Sequence, residues 1–191
     1  MELQRRQSGF TLVEIAIVLV IIGLLLGGIL KGQEMITQAR IKNVVNDFNG
    51  ITAAYFAYQD RYRQTPGDDN QATPRWVDPN PPGGTVNGSG NGVIAGVSMA
   101  APPATATATA ESNNFWWHLR LAGFVAGATS GTAAWSQPVN AVGGLVGVQN
   151  GTGTGTPTLS GLVLCSANMP DKIASAVDTQ VDDQRSSTGQ M

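Results

Sequence analysis

Hydrophobic residues crowd one end of this chain. Between residues 10 and 30 only Thr11 and Glu14 are neither apolar nor glycine. A helix over that run covers about 31 Å, which matches a hydrocarbon core of about 30 Å, so residues 10–30 are predicted as the transmembrane half of a long helix. Beyond residue 30 the pattern becomes amphipathic. Ile41, Val44, Val45, Phe48, Ile51, Tyr55, Tyr58 and Tyr62 follow steps of three and four, one face of a 3.6-residue helix. Gln38, Lys42, Asn46, Asp47, Asn49 and Gln59 lie largely off that stripe. Residues 31–64 are therefore predicted as the second half of the same helix, docked on a small globular domain. Thr65-Pro66-Gly67 followed by Asp68-Asp69-Asn70 is the stop.

The remainder, residues 65–191, alternates short apolar runs with turn residues. Glu111 to Val125 is predicted as a short helix with Phe115, Trp116, Leu119 and Ala122 in the core, and residues 171–177 as another. Ala141-Val142, residues 145–148 and residues 159–164 are predicted as short antiparallel strands. Residues 79–84 read as a break, and residues 104–110 and 150–157 are exposed low-complexity segments. The fold class expected is α+β: a long N-terminal helix on a small, loop-rich domain with a short antiparallel sheet.

Composition narrows the chemistry. A net charge of −2 gives no sign of a nucleic-acid surface, and the single cysteine, Cys165, forbids an intrachain disulfide framework. Cys165 is expected buried in its apolar run, and the lone His118 is expected to be structural, with no Cys or second His to share a metal. There is no nucleophile–His–carboxylate set, phosphate loop or zinc spacing, so no enzyme is expected. One stretch has the pattern of a cation loop. Asn87, Ser89 and Asn91 put oxygen side chains at every second position before Gly92, like the first half of an EF-hand. The twelfth position is Ser98 rather than a glutamate, so calcium would be held weakly, and only with help from Asp68 and Asp69. A tight glycine turn is the alternative, and otherwise no cofactor is expected. Asp178, Asp182 and Asp183 are read as a solvated acidic face.

Glu14 is the residue that hydrophobicity alone does not explain, since charged groups near a membrane-helix centre are costly. A secretory signal peptide, with Arg5 and Arg6 as its basic flank, would have a shorter apolar run and small residues two apart at its end. A plain anchor accounts for the run but not for the carboxylate. Gln7-Ser8-Gly9-Phe10-Thr11-Leu12-Val13-Glu14 instead resembles the leader and cleavage site of type IV pilins and type II secretion pseudopilins. The resemblance implies that residues 1–9 are a leader cut after Gly9 by prepilin peptidase, with Phe10 then N-methylated. It also implies that Glu14 acts in assembly, pairing with the terminal amine of a neighbouring subunit. In a processed chain that amine is cationic at neutral pH, and Glu14 lies about 6 Å along the axis from it. Gly23 and Gly27, and Gly28 and Gly32, stand four apart, a spacing that lets membrane helices approach closely, with simple tolerance of glycine in a membrane helix as the alternative. Lys31 stands where many members of the family carry a proline.

What the resemblance implies overall is a structural subunit, a minor pilin or a pseudopilin, because a single cysteine cannot close the disulfide loop usual in major pilins. Its implied partners are other subunits, the peptidase, the inner-membrane assembly platform and lipid. Its implied location is a single pass through the inner membrane, with the N-terminus cytoplasmic and residues 65–191 periplasmic or, in a pilus, extracellular. The rival is an anchored binding or adhesion module that keeps residues 1–9 and does not polymerise.

Overall fold

The computed structural model describes residues 9–76, 86–101, 110–151 and 161–182. The leader up to Ser8, the break at 79–84, most of the two low-complexity segments, the first residues of the 159–164 run and Asp183 lie outside the described residues. The chain divides into two compact units, Met1–Ala39 and Arg40–Met191. The elements in order are α1 (Leu12–Tyr62), a one-turn α2 (Ala72–Arg75), α3 (Glu111–Leu121), a 3₁₀ turn (Thr132–Trp135), β1 (Val146–Asn150), β2 (Leu162–Ser166) and α4 (Asp171–Val181). The α+β class holds, with one 51-residue helix and a two-stranded antiparallel sheet.

Helix α1 is long and apolar enough to cross a membrane, and none of its most apolar window is buried among the described residues. In the second unit the predicted stripe is the buried face. Ile41, Val44, Ile51 and Tyr58 are buried, joined by Ala54, while Val45, Phe48, Tyr55 and Tyr62 are half-buried. Two clusters cover this stripe. Ile41 and Val44 meet Ile173 and Val177 of α4. Ile51, Ala54 and Tyr58 meet Phe115, Trp116 and Leu119 of α3 and Val146 and Val148 of β1. The helix ends at Tyr62, with Arg63 in the left-handed region at φ 56°.

The sheet departs from expectation in its bounds, with strands at Val146–Asn150 and Leu162–Ser166 where 145–148 and 159–164 were expected, and in one missing strand. Ala141-Val142 is a turn rather than a strand, because the Asn140 side chain accepts from the amides of Val142 (3.0 Å) and Gly144 (2.8 Å). That local side-chain bond outcompetes an extended ladder. β1 and β2 pair with Gly147 opposite Cys165 and Val148 opposite Leu164. Cys165 is a free thiol and is half-buried rather than buried, as is every residue of β2, whereas β1 is buried over its first four residues. Helix α3 stops at Leu121 instead of Val125, and α4 runs on to Val181.

Candidate functional site

The start of α1 is a hydrogen-bonded device. Thr11 sits just before the first helical residue; its backbone N–H and its hydroxyl both donate to Glu14 Oε2 at 2.8 Å. In return the Glu14 amide donates to Thr11 Oγ1 at 3.3 Å. This is a capping box, which satisfies otherwise orphaned donors of the first turn and stabilises a helix start by about 1 kcal/mol. The threonine-x-x-glutamate spacing was legible in the chain, and it adds a local role for Glu14 to the one the resemblance implies. Glu14 Oε1 has no hydrogen-bond partner among the described residues.

Phe10 is 84% exposed, and a β-carbon built at Gly9 would meet nothing within 4 Å. The scissile peptide of the expected site is therefore not obstructed by the described chain. Gly23, Gly27, Gly28 and Gly32 likewise face open space, so no packing among the described residues requires glycine there.

The second cluster gathers around the turn after α1. Asp68 is 2% exposed, and its carboxylate is filled by the loop at 89–92. Oδ1 accepts from Ser89 Oγ (2.8 Å) and from the amides of Gly90 (2.6 Å) and Asn91 (3.2 Å), while Oδ2 accepts from the amide of Gly92 (2.6 Å). Glu111, at the start of α3, holds the same loop from the other side, accepting from Ser89 N–H (2.7 Å) and Ala95 N–H (2.8 Å). Gly88 is needed where the two backbones cross, because a β-carbon there would lie 2.3 Å from Asp68 Cα.

The five residues named as calcium candidates are thus placed in separate jobs. Asp68, Ser89 and Asn91 do come together, with loop donors pointed at a carboxylate. Successive amides converging on one anion form a nest, opposite in sign to a cation loop. Asn91 Oδ1 accepts from the Val93 amide (2.8 Å), and Asn87 Oδ1 from the Thr73 amide (2.7 Å). Asp69 turns away to accept from Tyr58 Oη (2.6 Å), the Gln71 amide (2.7 Å) and the Arg75 guanidinium. Burial works to raise the Asp69 pKa, but the bonds from Tyr58, Arg75 and Gln71 and the charge of Arg75 outweigh it, so the net direction is downward. Burial and the bond to Asp69 push the Tyr58 phenol up. Among the described residues no three His, Cys, Asp or Glu side chains are grouped to hold a metal.

His118 bridges two segments of this region. Nδ1 accepts from the Gly67 amide at 3.0 Å and Nε2 lies 3.0 Å from the Val86 carbonyl, which fixes a neutral ring protonated at Nε2. Burial lowers its pKa from 6.5 to about 4, against the bond to Val86.

Residues 4–30 match the family model for the prokaryotic N-terminal methylation motif. That motif is the signature of the prepilin-type segment of type IV pilins and pseudopilins. It supports a type IV pilin-like or pseudopilin precursor processed by prepilin peptidase, of a family that is structural rather than enzymatic. No curated protein matches the chain, and no solved structure matches it.

Proposed function

We propose that this chain is a minor pilin or pseudopilin, a structural subunit of a type IV pilus or type II secretion filament that assembles through its N-terminal helix. The observation that carries the proposal is the methylation motif at residues 4–30 leading into an apolar helix, α1, whose membrane-length window is unburied among the described residues. Such a helix needs lipid or other helices around it. In this reading prepilin peptidase cuts after Gly9 and methylates Phe10, and Glu14 pairs with the Phe10 amine of a neighbouring subunit. The glycines at 23, 27, 28 and 32 let neighbouring helices close up. Arg5 and Arg6 keep the N-terminus cytoplasmic, so that residues 65–191 lie in the periplasm or, in a pilus, outside the cell. Partners are other subunits, the peptidase, the assembly platform and inner-membrane lipid. No metal enters the proposal, because a cation at Asp68 would have to displace four donors already in place.

Intact-mass measurement on protein from its native membrane tests the proposal. The expected result is loss of residues 1–9 and one added methyl on Phe10. Gly9→Leu is expected to block processing; since a β-carbon at Gly9 meets nothing in the chain, the block would lie in recognition by the peptidase. Peptides containing Met1 or Glu2 in an assembled fraction would overturn the proposal in favour of the anchored module.

A further inference from the structure

Asparagine followed by glycine rearranges readily without an enzyme, because glycine has no side chain to hinder its nitrogen as it closes on the asparagine carboxamide. This chain carries four such pairs, at Asn49, Asn87, Asn91 and Asn150, and the fold restrains them differently. Gly50 lies within α1, and the Gly151 N–H donates to the Gly161 carbonyl at 2.9 Å. The Gly88 N–H donates to the Asp69 carbonyl at 2.9 Å, and Gly88 is wedged where two backbones cross. Packing and neutral acceptors hold these three.

Asn91-Gly92 is held by a charge instead. Both residues are exposed, and a β-carbon built on Gly92 would meet nothing within 4 Å, so packing does not hinder ring closure. The electrophile is primed. Asn91 Oδ1 accepts from the Val93 N–H at 2.8 Å, and a donor there stabilises the negative charge that develops on this oxygen when the carboxamide carbon is attacked. The nucleophile is blocked. The Gly92 N–H donates to Asp68 Oδ2 at 2.6 Å, and attack requires that nitrogen to shed its proton. A carboxylate at this distance disfavours a second negative charge beside it.

We propose that Asn91 is a self-modification site and that Asp68 is its guard. While the clasp is closed, Asn91 keeps its amide. When the clasp opens, the Gly92 nitrogen bonds to Asn91 Cγ and the Cγ–Nδ2 bond breaks. Nδ2 departs as ammonia, taking the proton from the Gly92 nitrogen. Water then opens the five-membered imide. Attack at Cγ leaves an aspartate, and attack at the main-chain carbonyl carbon leaves an isoaspartate with an extra methylene in the backbone. Either product adds a carboxylate to the loop whose amides converge on Asp68, where the Asn91 N–H itself bonds Asp68 Oδ1 at 3.2 Å. Two like charges at one nest oppose reclosure, so the step is one-way. The site uses only residues of the globular unit and water, and it stands whether or not the chain forms a filament.

The test follows the mass of peptides spanning residues 87–93 over time, in the full chain in detergent at mildly alkaline pH. Asp68→Asn keeps the shape of the side chain and removes its charge. It is expected to speed conversion at Asn91 by about 10–100-fold, the worth of one charge-assisted bond on the nucleophile, with Asn87 little changed. An unchanged rate at Asn91 overturns the proposal. An equal rise at Asn87 also overturns it, because loop opening rather than charge would then account for the effect. Glu111→Gln loosens the same loop through the Ser89 and Ala95 amides and leaves Gly92 on Asp68. It should speed Asn91 far less than Asp68→Asn, and an equal effect overturns the guard. The unsubstituted chain supplies a readout that needs no variant to fold. Asn91 should convert at least about tenfold faster in urea than in the folded protein, and equal rates overturn the proposal. In refolded protein converted at Asn91, the Gly90 and Gly92 amides should exchange freely; retained protection overturns the one-way step.

Discussion

Mild acid should destabilise the globular unit through His118. In the fold its ring is neutral, wedged with the Gly67 amide pointing at Nδ1, so a proton there would set two donors against each other. The groups around it include the Tyr58 and Trp76 rings, the Asp69 carboxylate, which favours protonation, and Arg75, which opposes it. The folded pKa is about 4 against 6.5 for a free histidine. Between those values the unfolded chain binds more protons than the folded one, so stability is full above pH 6.5 and falls as pH drops toward 4. The total loss is about 3 kcal/mol, with about 2 kcal/mol already gone at pH 5. Asp69, whose pKa is lowered, contributes its loss only below its free value of 3.8. Asp47, raised by burial, works weakly in the opposite sense. The assay is denaturant unfolding of the full chain in detergent, read by the buried Trp116, Trp117 and Trp135. The midpoint should fall by about 1 M urea between pH 7 and pH 5, for a slope of about 2 kcal/mol per molar. His118→Gln can still donate to Val86 and accept from Gly67, and it should remove most of the slope. A slope retained in the glutamine variant, or absent in the parent, would refute the reasoning.

Two further predictions follow from the clusters. Asp68→Asn keeps Oδ1 but sets an NH₂ against the Gly92 amide, and loss of that charge-assisted bond should cost about 1.5–3 kcal/mol in unfolding free energy. Added calcium should leave the parent's melting temperature unchanged, and a calcium-dependent rise would reverse the sign assigned to this loop. Glu14→Leu should hold membrane levels while subunit cross-linking falls, because it loses both the capping box and the charge, and breaking a buried ion pair typically costs about 3–5 kcal/mol. Glu14→Gln keeps the box without the charge and should be intermediate; assembly equal to the parent would mean that the cap alone accounts for Glu14.

The long helix and its buried stripe were legible because both obey a short period, and a run of this length admits few alternatives. The capping box was equally local, written in Thr11 and Glu14, yet the apolar run around it drew attention to the membrane instead. The Asp68 nest was not legible in the same way. Its partners stand more than twenty residues away, and alternating oxygen side chains in Asn87, Ser89 and Asn91 reveal nothing of where the backbone amides between them point. The missed turn at Ala141-Val142 was decided by a single neighbour, Asn140, whose side chain competes with the ladder.

These two kinds of legibility follow the division of labour along the chain. In the proposed reading residues 4–30 answer to constraints written in sequence order: a cleavage point, a cap, a bilayer thickness and a face for other helices. Each fixes residue types at set spacings, so the segment matches a family model by itself. The unit Arg40–Met191 meets a looser demand, which is to cover the stripe of Ile41, Val44, Ile51, Ala54 and Tyr58. Here α4 covers one end of it and α3 with β1 the other. Apolar residues of about the right volume can do this in many arrangements, and the intervening loops are then free to take their own solutions. The carboxylate clasp of Asp68 and Glu111 is one such solution. Whatever distinguishes this chain from others bearing the same N-terminal segment must therefore be sought in that unit.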